Sequence, residues 1–166
     1  DQLANSVADS GGVVIVPALS GLGAPHWDPY ARGLITGLSR GTSKAHICRA
    51  AVDAVCFQSV ELLECMERDA GQKITELRVD GGATASELLM QVQADLMDCD
   101  LVRPAVLETT AFGAAALAGL GVGFWQSRSE IASLYRGAKR FTPEVGDAER
   151  SALRESWDKA VERAKL

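Results

Sequence analysis

No Cys-x-x-Cys pair occurs in this 166-residue chain, and its two histidines, His26 and His46, do not cluster with its four cysteines. A structural zinc site needs thiolate and imidazole ligands at close spacing, so none is indicated. Cys48, Cys56, Cys65 and Cys99 read instead as small apolar residues in a reducing compartment. Three of them fall inside one helical pattern. No Gly-x-x-x-x-Gly-Lys-Ser/Thr segment is present, which excludes a P-loop. No signal peptide is visible, and the longest run of small apolar residues, 111–123, falls short of the roughly 20 that a spanning helix needs. Internal repeats and low-complexity segments are lacking as well. Basic charge is scarce: the net charge is −5. Residues 126–166 carry nine Lys/Arg against seven Asp/Glu, a local balance of +2. That is too dilute for a nucleic-acid surface and fits a solvated helical face.

What is present is an ordinary soluble composition, 47% hydrophobic and 23% charged, in a chain long enough for one domain with a real core. The first residue is Asp1, and the segment 2–10 reads like the middle of something longer, so a fragment is expected. Val13-Val14-Ile15-Val16 is a β-branched run that predicts a strand buried on both faces. Leu34-Ile35-Thr36 predicts a second, short strand. Thr42 or Ser43 can cap the long helix that follows, which ends near Ala70-Gly71. Its apolar stripe is read as Cys48, Val52, Val55, Cys56, Ser59, Leu62, Leu63 and Met66, with Gln58, Glu61, Glu64 and Arg68 off that face.

Downstream, Ile74 to Val79 predicts a strand, and a helix with Ala85, Leu88, Leu89, Val92 and Leu96 as its buried stripe comes next. Leu101-Val102-Arg103 is a short strand stopped by Pro104. Thr109 or Thr110 can cap a helix made mostly of Ala and Gly, through about Leu120. Its small face, Ala111, Ala114, Ala115 and Ala118, suits either tight packing or a contact that hinges. A last helix over about 146–164 buries Leu153, Trp157, Ala160, Val161 and Ala164. Strands alternating with helices argue for an α/β layered domain.

The most informative stretch is Val79-Asp80-Gly81-Gly82-Ala83-Thr84-Ala85-Ser86-Glu87. A strand runs into two glycines and a helix begins. Thr84 and Glu87 have the spacing of a capping box. Glycines at such a turn let a ligand approach the backbone, and a helix N-terminus favours an anion. By itself the pattern is more often ordinary turn chemistry. A second unusual loop, Ser20 to Gly33, mixes glycines, prolines and aromatics. His26 there reads as structural or solvated, Asp28 before Pro29 as a turn former, and Arg32 as a partner for Asp28. No nucleophile with its base is present.

Taken together, several segments closely resemble the carboxyl-terminal domain of the glycerol kinases, within the carbohydrate kinase family of the actin-like ATPase superfamily. They include Val16-Pro17-Ala18, Gly21-Leu22-Gly23-Ala24-Pro25-His26-Trp27-Asp28-Pro29, Ala31-Arg32-Gly33 and Arg78-Val79-Asp80-Gly81-Gly82-Ala83. Further along come Leu89-Met90-Gln91, Arg103-Pro104, Glu108-Thr109-Thr110-Ala111, Gly113-Ala114-Ala115, Leu117-Ala118-Gly119 and Val122-Gly123-Phe124-Trp125. The likeness runs from about Gly12 to Trp125 and more loosely to the end. Gly21-Leu22-Gly23 favours glycerol over pentuloses or gluconate.

The resemblance implies an α/β actin-like (ribonuclease H-like) second lobe, with a mixed sheet, flanking helices and an incomplete N-terminal side. Residues 1–166 would form one nucleotide-binding lobe, of which 126–166 is a helical extension. Gly81, Gly82, Ala83 and Ser86 would contact ATP or ADP, with Gly82 against the nucleotide. The family has asparagine where this chain has Ser86. The helix at 110–120 would lie at the hinge between lobes. Mg²⁺ ligands, the glycerol site and the catalytic aspartate would belong to a first lobe outside this chain, so the lobe alone would be inactive and no residue here is read as catalytic. Asp28 is read as loop architecture and Asp80 as support for the turn or beside the nucleotide. A cytoplasmic homo-oligomer is expected of the full-length enzyme. Two alternatives stay open: the same lobe of another sugar kinase, and a non-catalytic actin-like nucleotide-binding or scaffold domain.

Overall fold

The computed structural model describes residues 1–134 and 139–165. Strands β1 (Val14–Val16) and β2 (Leu34–Thr36) pair antiparallel, with Ile15 opposite Ile35. The β1 run is buried on both faces only at Val13 and Val16, while Val14 and Ile15 are half-buried.

Helix α1 (Lys44–Ala70) begins at Ser43, whose backbone N–H donates to His46 Nδ1 at 3.0 Å. It stops at Gly71, which adopts the left-handed φ of 67° and donates its N–H to the Glu67 carbonyl. Both ends are therefore set by local chemistry. Its buried face is not the expected one. Ala50, Ala54, Cys56, Phe57, Val60 and Glu61 are buried, whereas Val55, Leu62 and Met66 are exposed. The helix carries two apolar faces, and periodicity alone cannot say which of them meets the core.

After α1 comes a three-stranded mixed sheet. β3 (Glu76–Arg78) pairs parallel with β4 (Asp100–Arg103), and β4 pairs antiparallel with β5 (Lys139–Phe141). Leu101 sits at the centre, opposite both Leu77 and Phe141. Helix α2 (Glu87–Met97) connects β3 to β4, as a parallel pair requires. It joins two clusters. Val92 and Leu96 pack with Phe57, Val60 and Trp157, while Met90 and Ala94 pack with Cys99, Leu101 and Phe141. Ala85, read as part of this stripe, is exposed because it lies before the helix begins.

Helix α3 (Thr109–Gly121) buries Ala116 and Gly119. A Cβ on Gly119 would stand 2.3 Å from Trp125 Cε3, so only glycine fits beneath that ring. The expected small face, Ala111, Ala114, Ala115 and Ala118, is exposed, which corrects its reading as a packing surface within this domain. Helices α4 (Arg128–Leu134) and α5 (Asp147–Ala164) complete the described elements. Residues 126–166 are thus not only helical: β5 lies among them. Helix α5 buries Trp157, Ala160, Val161 and Ala164 against β1 and α1, whereas Leu153, expected in the same stripe, is exposed.

Candidate functional site

Because β3 and β4 run parallel, the helices that follow them, α2 and α3, both start at the same end of the sheet. In open α/β sheets that carboxyl end is where ligands bind. Here it is built from the glycine turn. Gly81 has φ 91°, a conformation closed to most side chains, and its N–H donates to the Leu107 carbonyl at 2.9 Å. Gly82 opens a 3-10 turn (Gly82–Ala85). Gly82 and Ala83 are exposed, and a Cβ on Gly82 would meet open space.

Beneath that surface the turn is held on all sides. The Thr84 hydroxyl is buried and donates to the Gly81 carbonyl at 2.7 Å. Arg103 Nη1 donates to the Thr84 carbonyl at 2.6 Å. The Thr109 hydroxyl donates to Asp80, tying the end of β3 to the start of α3. Asp80 thus supports the turn.

The capping box expected of Thr84 and Glu87 is not formed. The 3-10 turn delays the α-helix by two residues, so Ser86 is the N-cap and its hydroxyl oxygen accepts from the Leu89 N–H at 3.2 Å. Ser86 is buried, and cap formation uses an acceptor site on its oxygen. Glu87 turns the other way. It accepts from Arg103 Nη2 at 2.7 Å and from Lys139 Nζ. Those bonds, that from Lys139 first, hold its carboxyl below the ordinary glutamate range.

Arg103 and Lys139 also frame a pocket of about 270 Å³ with Ala85, Pro104, Ala105 and Leu107. Both cations lie over the Phe141 ring, at 5.3 and 4.9 Å. The structure therefore brings Gly81, Gly82, Ala83 and Ser86 together and adds Arg103, Leu107 and Lys139. Arg103 belongs to a segment already notable in the sequence. Lys139 carried no signal, because only the pairing of β5 on β4 brings it to the turn. No group of three or more His, Cys, Asp or Glu among the described residues could hold a metal ion.

The second unusual loop is architectural. Asp28 Oδ1 accepts from the Tyr30 and Ala31 N–H groups. Arg32 does not pair with it but donates to the Pro29 and Ala31 carbonyls. His26 Nε2 lies 2.9 Å from the buried Glu61 Oε1.

Residues 1–122 match the model of the FGGY family of carbohydrate kinases, C-terminal domain. Glycerol kinase of Dechloromonas aromatica is 58% identical over 164 residues, and that of Deinococcus radiodurans 54% over 165, each covering 99% of this chain. The chain spans about a third, 33%, of the length of these relatives. A crystal structure of Plasmodium falciparum glycerol kinase with ADP superposes with a TM-score of 0.87 at 34% identity, covering 99% of this chain and 33% of that one. A xylulose kinase from Rhodospirillum rubrum superposes at 0.70 with 26% identity, covering 95% and 31%. The α/β architecture of mixed sheet and flanking helices is that of the second lobe of the actin-like ATPase fold. This chain belongs to the FGGY family of carbohydrate kinases, as its C-terminal domain.

Proposed function

We propose that this domain is the adenine-nucleotide-binding lobe of a glycerol kinase, which passes the γ-phosphoryl of ATP to a glycerol hydroxyl and yields glycerol 3-phosphate. One observation carries the reading: an exposed glycine turn at the carboxyl end of a parallel strand pair, in a chain more than half identical to glycerol kinases. In this reading the backbone of Gly81, Gly82 and Ala83 lies against the nucleotide, where no Cβ at Gly82 keeps it away. Ser86, whose oxygen caps α2, retains its O–H as a donor toward the same ligand. Ala85, Pro104 and Leu107 offer an apolar wall for the purine.

Phosphoryl transfer depends mainly on positioning and charge stabilisation. This lobe would supply positioning of the nucleotide. Glycerol, Mg²⁺ and the catalytic carboxylate would be held by the remaining part of the enzyme. The exposed small face of α3 would lie at the hinge between lobes. The full-length protein would work in the cytoplasm as a homo-oligomer. Glycerol is favoured over a pentulose because, among the superposed structures, the glycerol kinase is 34% identical at a TM-score of 0.87 and the xylulose kinase 26% at 0.70.

The test is calorimetric titration of ATP and ADP into the full-length protein, with phosphorylation assayed on glycerol and a panel of sugars. Nucleotide binding weakened by Gly82→Val, with glycerol as the preferred acceptor, is the expected result. Wild-type affinity in Gly82→Val would remove the turn from the site. Phosphorylation of a pentulose in preference to glycerol would overturn the substrate. No phosphorylation of any acceptor would leave a binding domain.

A further inference from the structure

The turn that carries Gly82 and Ala83 is anchored at both ends. At its start the Gly81 N–H donates to the Leu107 carbonyl at 2.9 Å. At its end the Thr84 carbonyl accepts from Arg103 Nη1 at 2.6 Å. The two residues between these anchors are exposed. Glycine backbone is intrinsically loose, so a turn of this composition keeps one shape only where its ends are fixed. The Leu107 anchor is a backbone carbonyl, which any residue would supply. The Arg103 anchor depends on one side chain.

That side chain is itself held firmly. Arg103 Nη2 donates to Glu87 Oε1 at 2.7 Å, and the guanidinium carbon lies 5.3 Å from the centre of the Phe141 ring. The Arg103 side chain is only 14% exposed. Its backbone ends β4 and is fixed by pairing opposite Lys139 of β5. One planar fork therefore ties a strand end to the turn and to the first residue of α2. A lysine would bring the same charge, but not two rigid donors aimed at separate acceptors from a plane stacked on a ring.

We infer that Arg103 is a positioning residue for the nucleotide: its guanidinium locks the turn at Gly82–Ala85 in the shape that receives the adenosine end of ATP. The inference rests on the nucleotide-binding reading and acts through the turn, since Nη1 and Nη2 are engaged with Thr84 and Glu87. A turn ordered in advance spares binding the cost of ordering it. That cost is the same whatever phosphate chain follows, so ATP, ADP and AMP gain by one factor.

Steady-state kinetics of the full-length protein test this. Arg103→Met keeps an apolar side chain on Phe141 and removes both donors. It should raise KM for ATP by about tenfold, with kcat at saturating ATP and KM for glycerol changed by less than about twofold. The inhibition constants of ADP and AMP should rise by the same factor as KM for ATP. Arg103→Lys should not restore affinity. Glu87→Ala, at an exposed position that tolerates truncation, should raise KM for ATP by about threefold, and should add nothing in the Arg103→Met background. A wild-type KM for ATP in Arg103→Met or Arg103→Lys would overturn the inference. So would a kcat that falls with the melting temperature at constant KM, which is the mark of a purely structural residue. A loss that grows from AMP to ATP would place the guanidinium on the phosphates and overturn it as well. Failure of the wild type to bind ATP would overturn the nucleotide reading itself. Binding weakened by Gly82→Val but not by Arg103→Met would overturn this inference alone.

Discussion

The indole N–H of Trp157 donates to Glu61 Oε1 at 2.9 Å, joining α5 to α1 across the core. Glu61 is 4% exposed, Trp157 is fully buried, and the indole stacks on Phe57 with centroids 4.9 Å apart. His26 Nε2 approaches the same carboxylate oxygen. One buried acceptor therefore organises the α1 helix, the α5 helix and the loop that precedes β2. Removing it strands the indole N–H away from water. Glu61→Ala should cost about 1–3 kcal/mol in urea unfolding. In a double-mutant cycle with Trp157→Phe the two losses should be less than additive. Strict additivity would show that the bond contributes nothing to stability.

The two glycines of the turn should separate by phenotype. Gly81 sits at φ 91°, where an alanine is strained, so Gly81→Ala should lower stability by about 1–3 kcal/mol. Gly82 faces open space, so Gly82→Val should leave the melting temperature nearly unchanged and weaken nucleotide binding. Calorimetry and thermal melts on the same two proteins distinguish the roles. Equal melting losses in both variants would mean that Gly82 is structural too.

Ser86 is the N-cap of α2. Ser86→Ala should cost about 0.5–2 kcal/mol through the lost cap. Asparagine also caps well, and its longer amide extends further toward a ligand on the turn. Ser86→Asn should therefore hold stability and tighten nucleotide binding. An affinity below wild type in Ser86→Asn would argue against a side-chain contact at this position.

Glu87 gives the site a pH dependence. The hydrogen bonds from Lys139 and Arg103 lower its folded-state pKa below the ordinary 4.5. A lowered carboxylate stabilises the fold above its unfolded value, and that contribution is lost as pH falls through the folded value. Urea midpoints should therefore fall more steeply below pH 4.5 in the wild type than in Glu87→Gln. Parallel profiles for the two proteins would exclude the linkage.

Burial pushes the Cys56 thiol up to about 12, and it also raises Cys99. The thiolate is the reactive form, so both should resist alkylation at neutral pH in the folded protein. Cys48 and Cys65 are half-buried and should label first. Mass-spectrometric mapping after brief iodoacetamide treatment checks the order. Early labelling of Cys56 would mean that α1 opens locally.

Features that depend on neighbours in the chain were legible in the residues. Ser43 and Gly71 set the two ends of α1, and the β-branched run and Leu34–Thr36 became β1 and β2. The glycine turn, the start of α5 and its buried stripe followed the same local rules, because capping, φ preference and periodicity act within a few residues. Tertiary structure decided the rest. Both sides of α1 are apolar, and only the approach of α2 and α5 determined that Phe57 and Val60, not Leu62 and Met66, entered the core. The same packing buried Glu61, which no helical period could distinguish from its solvated neighbours, by bringing Trp157 to it across 96 residues. At the turn, Glu87 had two competing uses: a local cap, or pairing with Arg103 and Lys139. The β3–β4–β5 sheet brought both cations to it, and the charge-assisted pairing formed in place of the local cap.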